Sequence, residues 1–405
     1  MNRHINQCPG CGYAGEATTL YHCNNIPVNS VTLFRKRQEA VNCRKGDIHL
    51  TCCPSCGLIY NKEYDPLACH YNEEYEESQS HSQVFTAFHY ELADYLINKY
   101  DLREKNILEI GCGKGDFLNL ICSRGNNNGT GYDPAYVAGR SLIERSEKVT
   151  IFNREFPTDT VKVPVDFIIC KMTLEHIPMT ADFLKRIRKS IDPDKRTKVF
   201  FQVPDAKPIL EQSRFWDIYY EHCSYFTNDS LARIFRICGF NVLYLSTGYD
   251  EQYLLLEAEP SASGLTVAEK TSTHQEMKLT NNFGYSTRNL ITAWKNQLKE
   301  WREQKKRVAL WGGGSKAVSF LTTLEINDEI QAVVDINPHK EGTFLPGTAH
   351  KIIAPADLKR IQPEIIVIMN PIYNKEINTL IKELKVNALT IPVTQHEVQQ
   401  NVKLM

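Results

Sequence analysis

The sequence lacks a long hydrophobic run and an excess of charge of either sign. No apolar stretch approaches the roughly 20 residues that a membrane helix needs, and the polar start Met1-Asn2-Arg3-His4 is not typical of a signal peptide. The 47 Lys and Arg residues nearly balance the 48 Asp and Glu residues, so no global field attracts nucleic acid or an anionic membrane. We expect a cytoplasmic protein that acts on a small molecule, not on a nucleic acid or a membrane.

The chain is long for one domain, since 405 residues predict two or three domains. Four zones differ in composition: a cysteine-rich zone with a short strand-like run at 58–60 (1–66), a zone of alternating helix and strand patterns (67–260), a linker followed by a polar helix from about 275 to 306 (261–306), and a second strand-glycine-helix-strand unit (307–405). The alternation predicts an α/β protein with a doubly wound sheet. The second glycine turn predicts another, similar α/β domain at the C-terminal end.

Cysteine is concentrated at one end of the chain, where seven of the 13 cysteines fall within the first 56 residues. Two Cys-x-x-Cys pairs in this zone can bring four thiolates around one tetrahedral ion, which indicates a structural Zn²⁺ site rather than disulfides. The four candidate ligands are Cys8, Cys11, Cys53 and Cys56. The loop between the pairs is long, so Cys23, Cys43 or, first among them, Cys52 can replace one ligand.

A helical pattern at 83–100 precedes a predicted strand at 106–110, and a glycine-rich turn follows that strand. Glycines allow the backbone to approach a ligand closely, and an acidic residue at the end of the next strand can accept two hydrogen bonds from a ribose diol. The candidate cofactor-binding residues are Glu109, Gly111, Gly113, Gly115, Phe117 and Asp133. A dinucleotide site is the alternative, but the third glycine comes one residue earlier than in G-x-G-x-x-G.

The pattern Glu-x-Gly-x-Gly-x-Gly with its downstream Asp133 resembles motif I of class I S-adenosylmethionine-dependent methyltransferases. The segment 172–178 likewise resembles that family's stretch after the fourth strand. The resemblance implies S-adenosylmethionine as cofactor, with the glycines at its aminoacyl end and Asp133 on its ribose.

The loop 215–227 is dense in aromatic and titratable side chains. Within it, Tyr219, Glu221 and His222 can serve as oxyanion donor, orienting carboxylate and general base. Such a set favours proton abstraction. The alternative is that tyrosines and histidines here only fill an irregular loop as hydrogen-bonded packing.

The whole arrangement is similar to the sugar C-methyltransferase family, which combines a zinc module, a class I methyltransferase core and a C-terminal Rossmann-like domain. The most specific match is Tyr219-x-Glu221-His222. The resemblance implies a nucleotide-linked 4-keto-deoxysugar as substrate, with His222 removing a proton so that the enolate attacks the methyl group. It further implies active-site roles for His176, which with Tyr219 would donate to the oxyanion or position sugar hydroxyls, and for Tyr75, with Tyr71 as the alternative.

The C-terminal zone begins with a strand, the turn Gly312-Gly313-Gly314 and a helix start, which together suit a phosphate. The later segments 332–340 and 345–348 resemble the same family, whose nucleotide-holding role is implied for this domain. The three consecutive glycines depart from the family pattern, and a domain kept only for its shape is the alternative.

Two other functions remain open at the level of the sequence. One is O- or N-methylation of another small metabolite, which needs no carbon acid. The other is a zinc-ribbon binding protein whose methyltransferase fold has lost activity, against which the intact residues Glu109, Gly111, Gly113 and Asp133 argue.

Overall fold

The N-terminal zone folds into a small antiparallel sheet. The computed structural model describes residues 7–157, 164–261, 273–326 and 328–394. The first elements are β1 (Thr18–Pro27), α1 (Arg37–Val41), β2 (Lys45–Cys52) and β3 (Ile59–Asn61). β2 pairs antiparallel with both β1 and β3. The sequence predicted only the short strand around Ile59, because β1 is rich in Thr, His and Asn and lacks a clear apolar alternation.

The central region alternates helices and strands as predicted. Its elements are α2 (Gln83–Tyr100), β4 (Asn106–Ile110), α3 (Asp116–Gly125), β5 (Asn128–Tyr132), β6 (Val149–Phe152), β7 (Phe167–Lys171), α4 (Thr180–Ser190), β8 (Lys198–Pro204), α5 (Ala206–Glu211), β9 (Ser224–Tyr225), α6 (Asn228–Ile237), β10 (Phe240–Gly248) and β11 (Tyr253–Pro260). The bounds of α2 and β4 match the sequence prediction residue for residue, whereas β6 was not predicted.

Seven of these strands form one sheet in the order β6-β5-β4-β7-β8-β11-β10. The five strands β6, β5, β4, β7 and β8 run parallel to one another. Strand β11 runs antiparallel to both β8 and β10. Every residue of β7 is buried, as expected for a central strand covered by helices on both faces. The carboxyl ends of β4, β5, β7 and β8 meet at one edge, where open α/β sheets bind their ligands.

The C-terminal region begins with two helices and continues as a third sheet with further helices. Its elements are α7 (His274–Asn281), α8 (Phe283–Glu303), β12 (Val308–Trp311), α9 (Ser315–Thr323), β13 (Ala332–Val334), β14 (Ile352–Ile353), α10 (Leu358–Ile361), β15 (Ile365–Ile368), α11 (Asn374–Glu383) and β16 (Leu389–Pro392). The five strands are parallel, in the order β14-β13-β12-β15-β16.

The polar helix predicted from about 275 to 306 is two helices that meet at Asn282. The break places Phe283 edge-on against Tyr21 of β1, with ring centroids 5.8 Å apart. Within the described ranges, no helix is both long and apolar enough to cross a membrane. Most of the predicted linker lies outside the described residues, and the domain boundaries drawn from the sequence stay a prediction.

The aromatic loop 215–227 is held by both flanking units. On one side, β9 pairs with β3 and becomes the fourth strand of the N-terminal sheet. On the other, Phe215 stacks on Phe320 of α9 with ring centroids 5.8 Å apart. Ser319 Oγ donates to the carbonyls of Phe215 and Ile218, at 3.0 and 2.8 Å. The C-terminal domain therefore braces the loop that carries the predicted base.

Trp294→Ala should lower the free energy of unfolding by about 3 to 5 kcal/mol, because its fully buried ring packs against Trp301 and Phe320 and leaves a cavity when removed. Urea denaturation followed by circular dichroism measures the change. Tyr285→Ala on the same helix, at a side chain 67% exposed, is the control and should change the midpoint little. Equal effects of the two substitutions would contradict the packing assigned to α8.

Candidate active site

The glycine turn after β4 has a backbone that only glycine adopts easily. Gly111, Gly113 and Gly115 have φ values of 71°, 55° and 86°, in the left-handed region that disfavours side chains. A Cβ at Gly111 would also collide with the side chain of Thr173. Gly115 caps the start of α3 and does not line the cavity below. The turn therefore leaves bare backbone facing the sheet edge.

Asp133, at the end of β5, is oriented by the turn itself. Its carboxylate accepts hydrogen bonds from the backbone N–H of Gly113 (2.8 Å) and of Ala135 (2.7 Å). Burial raises the pKa of Asp133, and these two hydrogen bonds oppose that shift. Each carboxylate oxygen keeps a lone pair for a further donor, so the residue fits the ribose diol that the sequence predicted.

Two further carboxyl groups near the turn each have one oxygen without a hydrogen-bond donor among the described residues. Glu109 Oε2 has no hydrogen bond, and Glu77 Oε2 has only the ammonium of Lys114 at 3.6 Å. Burial raises the pKa of each to about 7. Orphaned acceptors at this position fit the ammonium group of an amino-acid ligand such as S-adenosylmethionine. Glu77 was missed from the sequence because it lies in an irregular segment outside any motif.

Phe117, predicted to touch the cofactor, lies in the wall between the turn and α2. The ammonium of Lys171 is 3.6 Å from its ring centroid and 3.0 Å from Nε2 of His89. Burial lowers the pKa of Lys171 to about 8, although the carboxyl of Glu109 opposes the shift. The wall thus combines the aromatic ring of Phe117 with a lysine whose pKa is lowered.

Two histidines face each other at the opposite end of the site. The ring of His222 lies edge-on to that of His176, with centroids 4.8 Å apart, and to that of Tyr219 at 4.6 Å. The hydroxyl of Tyr71 is 2.9 Å from Nδ1 of His176, and the His176 ring also contacts the backbone carbonyl of Glu221. Burial lowers the pKa of His176 to about 4.

Glu221, predicted from the sequence to orient His222, makes its hydrogen bonds to other residues. Its carboxylate accepts hydrogen bonds from Ser30 N (2.8 Å), Ser30 Oγ (2.5 Å) and the hydroxyl of Tyr75 (3.2 Å). Within the described part of the chain, the His222 ring is not among its partners. The Glu221 carboxylate is thus bound by Ser30 of the N-terminal unit and by Tyr75, whereas the ring of His222 packs against His176 and Tyr219.

The ring nitrogens of His222 make no hydrogen bond to any residue that the structure describes. Burial, the neighbouring His176 and the ammonium of Lys316 all lower its pKa, so the imidazole is neutral near pH 7. Lys316, from the start of α9, forms an ion pair with Asp217, which also accepts the hydroxyl proton of Tyr219 at 3.0 Å. A residue of the C-terminal domain therefore reaches the histidine pair.

One cavity of about 840 Å³ joins these groups. The predicted residues that line it are Tyr75, Glu109, Gly111, Gly113, Phe117, Asp133, His176, Tyr219, Glu221 and His222. Lining residues that the sequence analysis did not select include Glu77, Glu175, Gln202 and Lys316. Two of these residues are close in sequence to predicted site residues or motifs. Glu175 directly precedes His176, and Lys316 follows the second glycine turn by two residues.

The predicted cysteine ligands converge at a separate place, outside the cavity. One Sγ atom from each of Cys8, Cys11, Cys53 and Cys56 lies within 4.8 Å of all the others. Two of the pairs, Cys8–Cys56 and Cys11–Cys53, are 3.5 and 3.6 Å apart. A tetrahedron of thiolates at the usual metal distance has edges of roughly 3.8 Å, so the donor set fits one tetrahedral ion. Cys52 instead points its thiol to the carbonyl of Gly57.

Comparisons with known proteins agree with this geometry. Residues 77–245 match the family described as "Methyltransferase domain", and residues 254–389 match "C-methyltransferase C-terminal domain". The C-methyltransferase NovU of Streptomyces niveus is 23% identical over 419 residues, covering 98% of this chain and 97% of its own.

Two solved structures are also similar. A putative S-adenosylmethionine-dependent methyltransferase from Listeria monocytogenes has 15% identity and a TM-score of 0.35, covering 44% of this chain and 99% of that one. The magnesium protoporphyrin IX methyltransferase of Synechocystis PCC 6803 has 15% identity and a TM-score of 0.36, covering 44% and 84%.

The sheet, the glycine turn and the matched domains define an S-adenosylmethionine-dependent methyltransferase. Its second matched domain adds the C-terminal domain of C-methyltransferases to this core. The predicted enzyme class and the predicted α/β architecture with a second C-terminal α/β domain are thereby confirmed.

Gly111→Ala should weaken S-adenosylmethionine binding by about tenfold or more, because the added Cβ meets Thr173 and the residue must adopt a left-handed conformation. Titration calorimetry measures the affinity. Gly139→Ala is a matched control with a φ of 81° and no atom within 4 Å of the added Cβ. Unchanged affinity in Gly111→Ala would show that the turn does not hold the cofactor.

Proposed function

We propose that this enzyme methylates a carbon atom next to the ketone of a nucleotide-linked keto-deoxysugar, with His222 as the general base. One observation carries the proposal. A single cavity is lined by the glycine turn after β4 (111–115, the methyl-donor turn), by neutral His222 and by the C-terminal glycine turn (312–314). The ring nitrogens of His222 have no hydrogen-bond partner among the described residues.

The contacts of the two histidines favour His222 as the base. Nδ1 of His176 is engaged by Tyr71, and its ring also meets a backbone carbonyl. His222 has only ring contacts to the described residues, so a lone pair remains for a substrate proton. A lowered pKa keeps the imidazole in its unprotonated form, which is the form that accepts a proton. The negative charge of an adjacent enolate would then stabilise the imidazolium.

The proposed reaction has two steps. A ring nitrogen of His222 takes the proton from the carbon beside the ketone, and the electron pair of the C–H bond becomes the C=C bond of an enolate. The enolate carbon then bonds to the methyl carbon of S-adenosylmethionine while the methyl–sulfur bond breaks and its electrons stay on sulfur. The proton on His222 returns to solvent. S-adenosylmethionine supplies an electrophilic methyl group, and the protein supplies the base and the alignment.

The C-terminal turn supports a phosphorylated carrier. Gly312 has a φ of 110°, and the N–H of Gly313 donates to Asp335 at 2.8 Å, as the N–H of Gly113 does to Asp133. The turn opens the helix α9, whose first-turn N–H groups and Lys316 offer positive potential to the cavity. We propose that the pyrophosphate of the substrate binds at this glycine turn, beside the start of α9.

The four-cysteine cluster is proposed to hold a structural Zn²⁺. Its ligands are all sulfur and leave no open position, which is typical of structural sites. Cys53 and Cys56 lie in the same hydrophobic cluster as Leu58 and Phe235, so the ion would fasten the N-terminal sheet to the central domain.

His222→Ala should lower, by about 10² to 10⁴-fold, the rate at which solvent deuterium enters the carbon next to the ketone, because the general base is lost. Mass spectrometry of a panel of nucleoside diphosphate 4-keto-deoxysugars in D₂O, without cofactor turnover, measures exchange. In the unsubstituted enzyme the exchange rate should stay level below the usual histidine pKa of about 6.5, since a lowered pKa keeps His222 unprotonated.

The control for this substitution is His350→Ala, a buried histidine outside the cavity, which should leave exchange unchanged. Persistent exchange in His222→Ala would remove the base assignment. A product that carries its methyl group on oxygen or nitrogen would exclude the carbon-acid chemistry altogether.

Cys56→Ser should lose bound zinc, because a serine hydroxyl replaces one thiolate of a closed four-sulfur site. Inductively coupled plasma mass spectrometry on purified protein measures the ratio of zinc to protein. Cys52→Ser is the matched control, since Cys52 is equally buried but lies outside the cluster, and it should keep its zinc. Equal loss in both variants would contradict the assigned ligand set.

A further inference from the structure

We propose that Glu175 is a catalytic residue that hydrogen-bonds, as a neutral carboxylic acid, to the ketone oxygen of the substrate and to the enolate oxygen that follows. This inference rests on the proposed function, since only a carbon acid beside a ketone develops an enolate. Glu175 was not among the residues selected from the sequence, although it directly precedes His176.

The placement of Glu175 supports this role. The side chain is 1% exposed and lines the cavity. One carboxyl oxygen lies within 4.8 Å of a ring nitrogen of His176 and of a ring nitrogen of His222. Neither carboxyl oxygen has a hydrogen-bond partner on another described residue, and only the backbone N–H of Glu175 itself acts on the carboxyl. A buried polar group without a partner is costly, and it is found where a ligand supplies the missing bond.

The other predicted oxyanion donors are already engaged. The only hydroxyl proton of Tyr219 goes to Asp217, which Lys316 holds by an ion pair. His176 is held between the hydroxyl of Tyr71 and the backbone carbonyl of Glu221. Because these donors are already hydrogen-bonded within the protein, the oxygen that gains charge needs another donor. Gln202 also lines the cavity without a hydrogen-bond partner, but Glu175 is the group that lies within 4.8 Å of both histidines.

Burial favours the protonated form of Glu175. It raises the pKa of this carboxyl to about 8, since no cation is near enough to offset the loss of water. The titratable groups that face the carboxyl are His176, His222, Cys170, Cys223 and Tyr253. None of the five is cationic near pH 7, because burial lowers the pKa of both histidines. A carboxylic acid kept neutral in an apolar site can donate one strong hydrogen bond to an enolate oxygen.

The chemistry needs no additional proton transfer. His222 removes the carbon-bound proton, and the proton of Glu175 stays on its carboxyl while the hydrogen bond shortens as charge develops on the substrate oxygen. The contribution is greater for the enolate than for the ketone, so removing it should lower kcat more than it raises KM.

Two variants separate this role from others. Glu175→Gln keeps an N–H donor of nearly the same size but cannot ionise, whereas Glu175→Leu removes the donor. We expect Glu175→Leu to lose about 10² to 10³-fold in kcat for methyl transfer and in deuterium exchange, and Glu175→Gln to retain activity within about tenfold of wild type. Calorimetry with S-adenosylmethionine on both variants shows that the fold and cofactor site persist.

The pH profile supplies an independent measurement. The neutral acid is the active form, so the exchange rate of wild type should fall as pH rises through about 8, where Glu175 loses its proton. Lys171 titrates in the same range, with a pKa of about 8. Glu175→Gln distinguishes the two, because it should lose the alkaline decrease if Glu175 causes it and keep the decrease if Lys171 does.

Several results would overturn the proposal. Equal inactivity of Glu175→Gln and Glu175→Leu would mean that the charged carboxylate is needed, and wild-type kcat in Glu175→Leu would mean that no donor is needed. An unchanged alkaline decrease in Glu175→Gln would also count against it. Activity that EDTA abolishes and a divalent cation restores would also overturn the proposal, because Glu175 would then be a metal ligand. Absence of exchange by wild type on every sugar tested would instead overturn the proposed function, and this inference with it.

Discussion

The buried carboxylate of Glu221 is the contact on which the arrangement of the active site depends. Removal from water raises its pKa to about 7, and donors from Ser30 and Tyr75 oppose that shift. Ser30 belongs to the N-terminal unit and is also hydrogen-bonded to Ser315 at the start of α9, at 2.7 Å. A buried carboxyl group needs such donors, so this one is satisfied only when the N-terminal unit packs against the central domain. The hydrogen bond between Ser30 and Ser315 links the C-terminal domain to the same junction.

The same junction explains why a methyl-transfer domain carries two flanking units. Strand β9 completes the N-terminal sheet, and α9 packs under the start of the aromatic loop, so His222 is fixed from both sides. Lys316 then brings positive charge to Asp217 and lowers the pKa of His222. The flanking units thus fix the position of the group proposed as base, and Lys316 adds to the larger effect of burial in lowering its pKa.

Prediction from the sequence succeeded where one local pattern decides the structure. Helix α2 and strand β4 were placed to the residue, because the helix has a serine cap and the strand is an apolar run ending in glycine. Strand β1 was missed, since its pairing with β2 decides its structure more than its own pattern does. The sequence predicts one continuous polar helix across Asn282, because no local sequence signal indicates that Phe283 packs against Tyr21.

By itself, the sequence determined the methyl-donor turn, the four cysteines that converge and the loop that bears His222, because each is a set of residue types at short, fixed spacing. Only the tertiary structure decided what the side chains of that loop contact. Glu221 and His222 are neighbours in the chain yet contact different residues, and Glu175 gains its place beside the histidines without a donor from another described residue. Hydrogen bonding and burial depend on segments distant in the sequence, and no local spacing encodes them.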